Sequence, residues 1–160
     1  MLRYKKIVAT ATIKEDYMEF LMRYISRTSR LSELYRNEKL KEYGLGGVHH
    51  TYILNIYRNP GVTQDELADL IFVNKSNVTR QLATLEKNGY VTRTPSSTDK
   101  RKLLVYPTEK TKEVYPKVVK VLKDWNKIIM EDLSEDQQKA VGDVLEQMMN
   151  KAKQAVDQLD

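Results

Sequence analysis

NKSNVTRQLATLEKNGYVTRTPSSTDKRK, residues 74–102, is the stretch on which the reading of the whole chain turns. In its first half Val78, Leu82 and Leu85 recur at helical steps and form the apolar side of a short helix, with Asn74 or Ser76 available as its N-cap. Gly89 ends that helix in the left-handed conformation, and Tyr90 is placed for the apolar contact of a C-terminal cap. Asn-Gly also marks hairpins, but the helix-forming residues before it favour the cap. Val91-Thr92-Arg93 and Leu103-Leu104-Val105-Tyr106 are the only strand-like pieces, separated by a polar loop from Thr94 to Lys102. They read as a two-stranded β-ribbon with a mobile tip, the basic residues of its loop at one end.

Upstream, Thr63-Gln64-Asp65-Glu66 has the spacing of a capping box and opens a short helix to about Leu70. Asn59-Pro60-Gly61 stops an earlier helix that carries Ile53, Leu54, Ile56 and Tyr57. The cluster Gly44-Leu45-Gly46-Gly47 reads as a hinge separating that helix from a long amphipathic one, Thr12 to about Lys41. Downstream, Thr108 caps a long helix with Val114, Val118, Leu122 and Trp125, which Pro116 is expected to bend. Ser134-Glu135-Asp136-Gln137 is a second capping box, opening a last helix whose one side carries Val141, Val144, Leu145, Met148, Met149, Val156 and Leu159. The fold class expected is mainly α with a small β-wing.

A chain of 160 residues, 41% apolar and 31% charged, suits one domain with a buried core. The absence of cysteine excludes disulfides, thiolate metal sites and a thiol nucleophile. Ile7-Val8-Ala9 is too short an apolar run for a signal peptide or a span, so a soluble, cytoplasmic protein with no membrane partner is expected. His49 and His50 point about 100° apart on a helix and have no second motif to share a metal with, so no metal is expected and a hydrogen-bonded histidine at a helix start is the simpler reading. No nucleophile, base and orienting group come together, and the glycine cluster follows a helix, whereas a phosphate-cradling loop follows a strand. Neither an enzyme nor a cofactor is expected.

The net charge of +5 is concentrated: residues 71–107 hold seven Lys/Arg against two Asp/Glu, while the flanks nearly cancel. Two short helices with a tight turn and a basic ribbon are the parts of a winged helix-turn-helix, in which the second helix enters the major groove of double-stranded DNA. Burying Val78, Leu82 and Leu85 leaves Lys75, Ser76, Asn77, Thr79, Arg80 and Gln81 as candidate recognition residues, of the types that donate to phosphates and base edges, with asparagine or glutamine suited to adenine. In the wing, Asp99 can pair with Arg101 or accept turn N–H groups, presenting the guanidinium to a minor groove, and Lys100, Lys102 and Arg93 are candidate phosphate contacts. The competing reading treats the same residues as helix caps and a solvated turn. A non-specific architectural or RNA-binding module shares the basic middle and lacks the sequence preference.

The succession of Ser76-Asn77-Val78-Thr79-Arg80-Gln81-Leu82, Leu85 to Gly89, Tyr90-Val91-Thr92-Arg93, Asp99-Lys100-Arg101 and Pro107-Thr108-Glu109-Lys110 resembles the multiple antibiotic resistance regulator (MarR) family over nearly the whole chain. It departs from the family pattern at Thr111 and at His49-His50. The resemblance implies a homodimeric transcriptional regulator, a repressor at an inverted-repeat operator. Residues 43–107 would form the DNA-binding domain, and residues 1–42 and 108–160 the helical dimerisation region. Apolar residues on the last helix and Ile7, Val8 and Ile13 permit such a dimer, though they also suit packing within one chain. Seven of ten tyrosines precede residue 58. Tyr17, Tyr24, His50 and Tyr57 are candidates for lining a pocket for a small aromatic or phenolic effector, against the simpler reading of tyrosines as core and interface residues.

Overall fold

The computed structural model describes residues 15–159, with side chains from Phe20 onward. Among these residues six α-helices and a small sheet follow in the order α1 (Glu15–Leu40), a 3-10 turn (Lys41–Tyr43), α2 (His49–Arg58), β1 (Val62–Thr63), α3 (Gln64–Ile71), α4 (Lys75–Lys87), β2 (Val91–Pro95), β3 (Leu103–Pro107), α5 (Glu109–Met130) and α6 (Glu135–Val156). The expected helix start at Thr12, and Ile7, Val8 and Ile13, lie outside the described residues. Two compact units divide at Leu122 and Lys123.

The first unit is built on local signals that the chain obeys. Thr63 and Glu66 form the reciprocal capping box at the start of α3. Asn74 caps α4 by accepting the Asn77 N–H at 2.8 Å, and Ser76 supports that cap with its hydroxyl on Asn74 Oδ1. Gly89, at φ 75°, turns the chain out of α4, and Tyr90 is buried behind it with its hydroxyl donating to the Tyr43 carbonyl. Val78, Leu82 and Leu85 are fully buried against Leu67, Ile53, Ile56 and Val105 in one core, as the helical spacing predicts.

Two features depart from the sequence reading. The sheet has three strands in the order β1-β3-β2, all neighbours antiparallel, where only two strands were legible. β1 is two residues long, too short for alternation to show, and is aligned by the Gly61 N–H donating to the Val105 carbonyl at 2.8 Å. The glycine cluster before α2 is a clamp and not a hinge. A Cβ on Gly47 would lie 2.7 Å from the Glu33 carbonyl oxygen of α1. The Gly47 N–H donates to Asn37 Oδ1, and its carbonyl accepts from Arg36 Nε and His50 Nδ1. Close approach of two backbones is what requires glycine there.

α5 continues through Pro116 as one helix. In the second unit, Ser134 and Gln137 make the expected capping box at the start of α6. Val141, Val144, Leu145, Met149 and Val156 are exposed along that helix. Among the described residues no helix is long and apolar enough to cross a membrane.

Candidate nucleic-acid interface

Burial of one side of α4 decides which side chains face outward. Lys75, Thr79 and Arg80 are exposed. α3 braces the first two: Asp65 pairs with Lys75 at 3.0 Å, and the Thr79 hydroxyl lies 3.0 Å from Gln64 Oε1. Among the described residues Arg80 has no side-chain hydrogen bond or ion pair, so its guanidinium is available to an external acceptor. Ser76 is exposed but holds the cap. Asn77 and Gln81 are half-buried and are held from α2, by the Tyr52 hydroxyl and the His49 ring respectively.

β2 and β3 pair in register from Val91 opposite Pro107 to Pro95 opposite Leu103, so the loop between them projects from the sheet. The tip is closed by internal bonds. Ser96 N–H donates to the Lys102 carbonyl and Lys102 N–H to the Asp99 carbonyl, both at 2.9 Å. Asp99 Oδ1 accepts from the Arg101 N–H at 3.1 Å and from Arg101 Nε at 3.2 Å, combining the two roles weighed for it. Those bonds from Arg101 hold the Asp99 carboxyl below its usual range. The Arg101 side chain is nonetheless 92% exposed, so it is oriented without being covered. Lys100 and Lys102 are exposed beside it.

Arg93 differs from the other wing cations. It donates through Nε and Nη2 to Glu86 Oε2 at 3.0 and 2.5 Å, and its side chain is only 20% exposed. The bond lowers the Glu86 carboxyl and ties the end of α4 to β2. Charge pattern alone assigned Arg93 to phosphate; its partner seven residues back at a helix-to-strand junction leaves no spacing signature.

Among the described residues no contact joins the candidate effector residues Tyr24, His50 and Tyr57. The Tyr17 side chain lies outside those described. Tyr24 is exposed on α1, and Tyr57 stacks on Tyr115 at 3.9 Å between ring centroids. His50 is turned to the Gly47 carbonyl and the Thr51 hydroxyl. With His49 held by Gly46 and Gln81, all four histidine ring nitrogens have protein partners. Among the described residues no group of three or more His, Cys, Asp or Glu is placed to hold a metal ion.

Residues 43–102 match the sequence model of the MarR family. The HTH-type transcriptional regulator YybA of Bacillus subtilis is 32% identical over 99 residues, 62% of this chain and 66% of that protein, so the chain spans just under two thirds of that relative. A MarR transcriptional regulator from Methanosarcina mazei is 28% identical and superposes with a TM-score of 0.82 over 86% of this chain and 99% of its own. A MarR protein from Peptoclostridium difficile, 24% identical, shares the fold with a TM-score of 0.87 over 94% of this chain and 99% of its own. Residues 43–102, which hold the helix pair and the wing, are thus similar to the MarR family, and the fold of most of the chain is similar to that of a solved MarR regulator.

Proposed function

We propose that the chain is a sequence-specific DNA-binding transcriptional regulator that works as a homodimer on an inverted-repeat operator, as a repressor. The observation that carries this reading is the pair of outward guanidiniums on one basic segment: Arg80 on the exposed edge of α4, and Arg101 held by Asp99 at the tip of the wing. A helix edge bearing Lys75, Thr79 and Arg80 suits a major groove, and an oriented arginine on a ribbon suits the narrow groove beside it. The names of the relatives, transcriptional regulators, agree with this use of the fold.

The homodimer is supported by apolar side chains that are exposed among the described residues. On α1, Leu21, Tyr24, Leu31 and Leu34 are exposed at steps of three and seven, the spacing of a helix seam. The exposed apolar residues of α6 form a second such row. A second copy of the chain is the occupant proposed for both, since a twofold axis also sets two reading helices roughly 34–36 Å apart on related half-sites. In this reading the protein acts in the cytoplasm with its duplex.

The test is selection of bound fragments from random duplex DNA, followed by titration of the best duplex against salt. Enrichment of one palindrome, together with a steep fall of affinity with salt, is expected. A steep salt dependence with no enriched sequence would make the chain a non-specific binder, and no binding at low salt would end the reading. Repeating the selection with small phenols present reports on an effector through loss of the enriched fragments.

A further inference from the structure

His49 and Tyr52 lie three residues apart on α2 and face the same side of that helix. They are 7% and 2% exposed. Each reaches α4 with one polar atom: His49 Nε2 is 3.1 Å from Gln81 Oε1, and the Tyr52 hydroxyl is 3.1 Å from Asn77 Oδ1. Asn77 and Gln81 are themselves four residues apart and share one flank of α4, next to the buried Val78 and Leu82. Two hydrogen bonds therefore run between the helices like rungs, and both end on half-buried side chains of α4, the helix assigned above to the duplex.

The proton positions on the first rung follow from the backbone beside it. The Gly46 N–H, 2.9 Å from His49 Nδ1, can only donate, so Nδ1 accepts and the neutral ring carries its hydrogen on Nε2. That hydrogen needs an acceptor, which orients the Gln81 amide with its oxygen toward His49. On the second rung the Tyr52 hydroxyl donates to the Asn77 oxygen. The NH2 group of each amide takes no part in these bonds, and among the described residues neither has a hydrogen-bond partner.

We infer that His49 and Tyr52 are positioning residues that set which bases α4 selects: by taking the oxygens of Gln81 and Asn77, they leave these side chains to meet a duplex as hydrogen-bond donors. This rests on the proposed reading of α4 as the helix that enters the groove. A free asparagine or glutamine forks onto adenine, accepting from N6 and donating to N7. An amide whose oxygen is turned toward α2 has one lone pair engaged there and is drawn away from the geometry of that fork. It favours acceptor edges, guanine N7 and O6 or thymine O4, and finds a competing donor in the amino groups of adenine and cytosine. The adenine preference expected from residue type alone is replaced by a preference for guanine or thymine.

Two measurements on the full-length protein test this. In the first, 15N chemical shifts of histidine-labelled protein are expected to show His49 as the Nε2–H tautomer; the Nδ1–H tautomer overturns the inference. In the second, duplexes are selected from a random library by the wild type, Asn77→Ala, Gln81→Ala, Tyr52→Phe and Gln81→Glu, each confirmed folded by circular dichroism. The wild type is expected to favour guanine or thymine at the steps whose preference disappears in the two alanine variants. Tyr52→Phe keeps the ring and removes the hydroxyl, and adenine is expected to rise about five- to tenfold at the Asn77 step. Gln81→Glu keeps an oxygen for His49 and turns a second one outward, so the Gln81 step is expected to shift to cytosine or adenine. Adenine already favoured by the wild type, or a Tyr52→Phe profile identical to wild type, overturns the inference while leaving the regulator reading intact. A wild type that binds duplex with no base preference overturns both.

Discussion

At the scale of single residues, the wing separates charge from order. Arg101→Ala is expected to weaken binding to the selected duplex by about 1–3 kcal/mol and to lower the salt slope by about one unit per copy, measured by fluorescence anisotropy across a salt series. Asp99→Asn decides how that arginine works. Removing a negative charge beside a polyanion strengthens binding if charge alone counts. Weaker binding is expected, because Asp99 holds Arg101 by one bond from its guanidinium and one from its backbone N–H, and an amide oxygen accepts both less firmly. Protonation offers a second residue-scale test. Burial lowers both His49 and His50 from their ordinary value of 6.5. Each is neutral in the folded chain, while the unfolded chain takes up protons first as pH falls. Their stabilisation is complete above about pH 6.5 and lost as pH falls through their folded values. Thermal melting is therefore expected to drop on acidification from pH 7 to 5.5, before Glu66, Glu86 and Asp99, themselves held below 4.5, 4.5 and 3.8, begin to titrate.

Elements form here from short-range chemistry, and that is why so much of the fold was legible. The capping boxes at Thr63 and Ser134, the Asn74 cap and the left-handed Gly89 each depend on residues within four positions, and each appears where its spacing places it. Asn74→Ala removes the acceptor for both Asn77 N–H and the Ser76 hydroxyl, and is expected to cost about 1 kcal/mol in denaturant unfolding. What stayed hidden depends on partners distant in sequence or on a local signal that is missing. β1 exists because β3, more than forty residues on, offers it an edge. α3 ends at Phe72, with φ 57°, where a glycine would have announced the left-handed turn. Arg93 became a link to Glu86, and Asn77 and Gln81 acquired partners on α2, in contacts that no spacing rule encodes. The same holds for Gly47, whose need for glycine comes from Glu33 on α1. Gly47→Ala is expected to destabilise by about 1–3 kcal/mol, because backbone on both sides must separate, whereas an ordinary surface change stays within about 0.5 kcal/mol.

For the molecule as a whole, the apolar rows on α1 and α6 support the proposed pairing of two copies, because a single winged helix contacts too little of an operator to be selective against a genome of competing sites. Two copies on a twofold axis double the phosphate contacts and impose a half-site spacing, so dimerisation, affinity and salt dependence are one linked quantity. Leu31 and Leu34 are exposed on α1, and neither takes part in the caps of α4. Changing both to Lys is expected to leave the circular dichroism spectrum of the folded chain unchanged and to convert the protein to a monomer in sedimentation. Affinity for the palindrome is then expected to fall at least about a hundredfold, with roughly half the wild-type salt slope, while a single half-site binds the variant as well as the full palindrome does. If the double variant stays dimeric, the seam lies on other residues and the α1 row loses its assigned role. If it becomes monomeric yet keeps full affinity and slope, two heads are not needed for recognition, and the twofold reading of the operator fails with them.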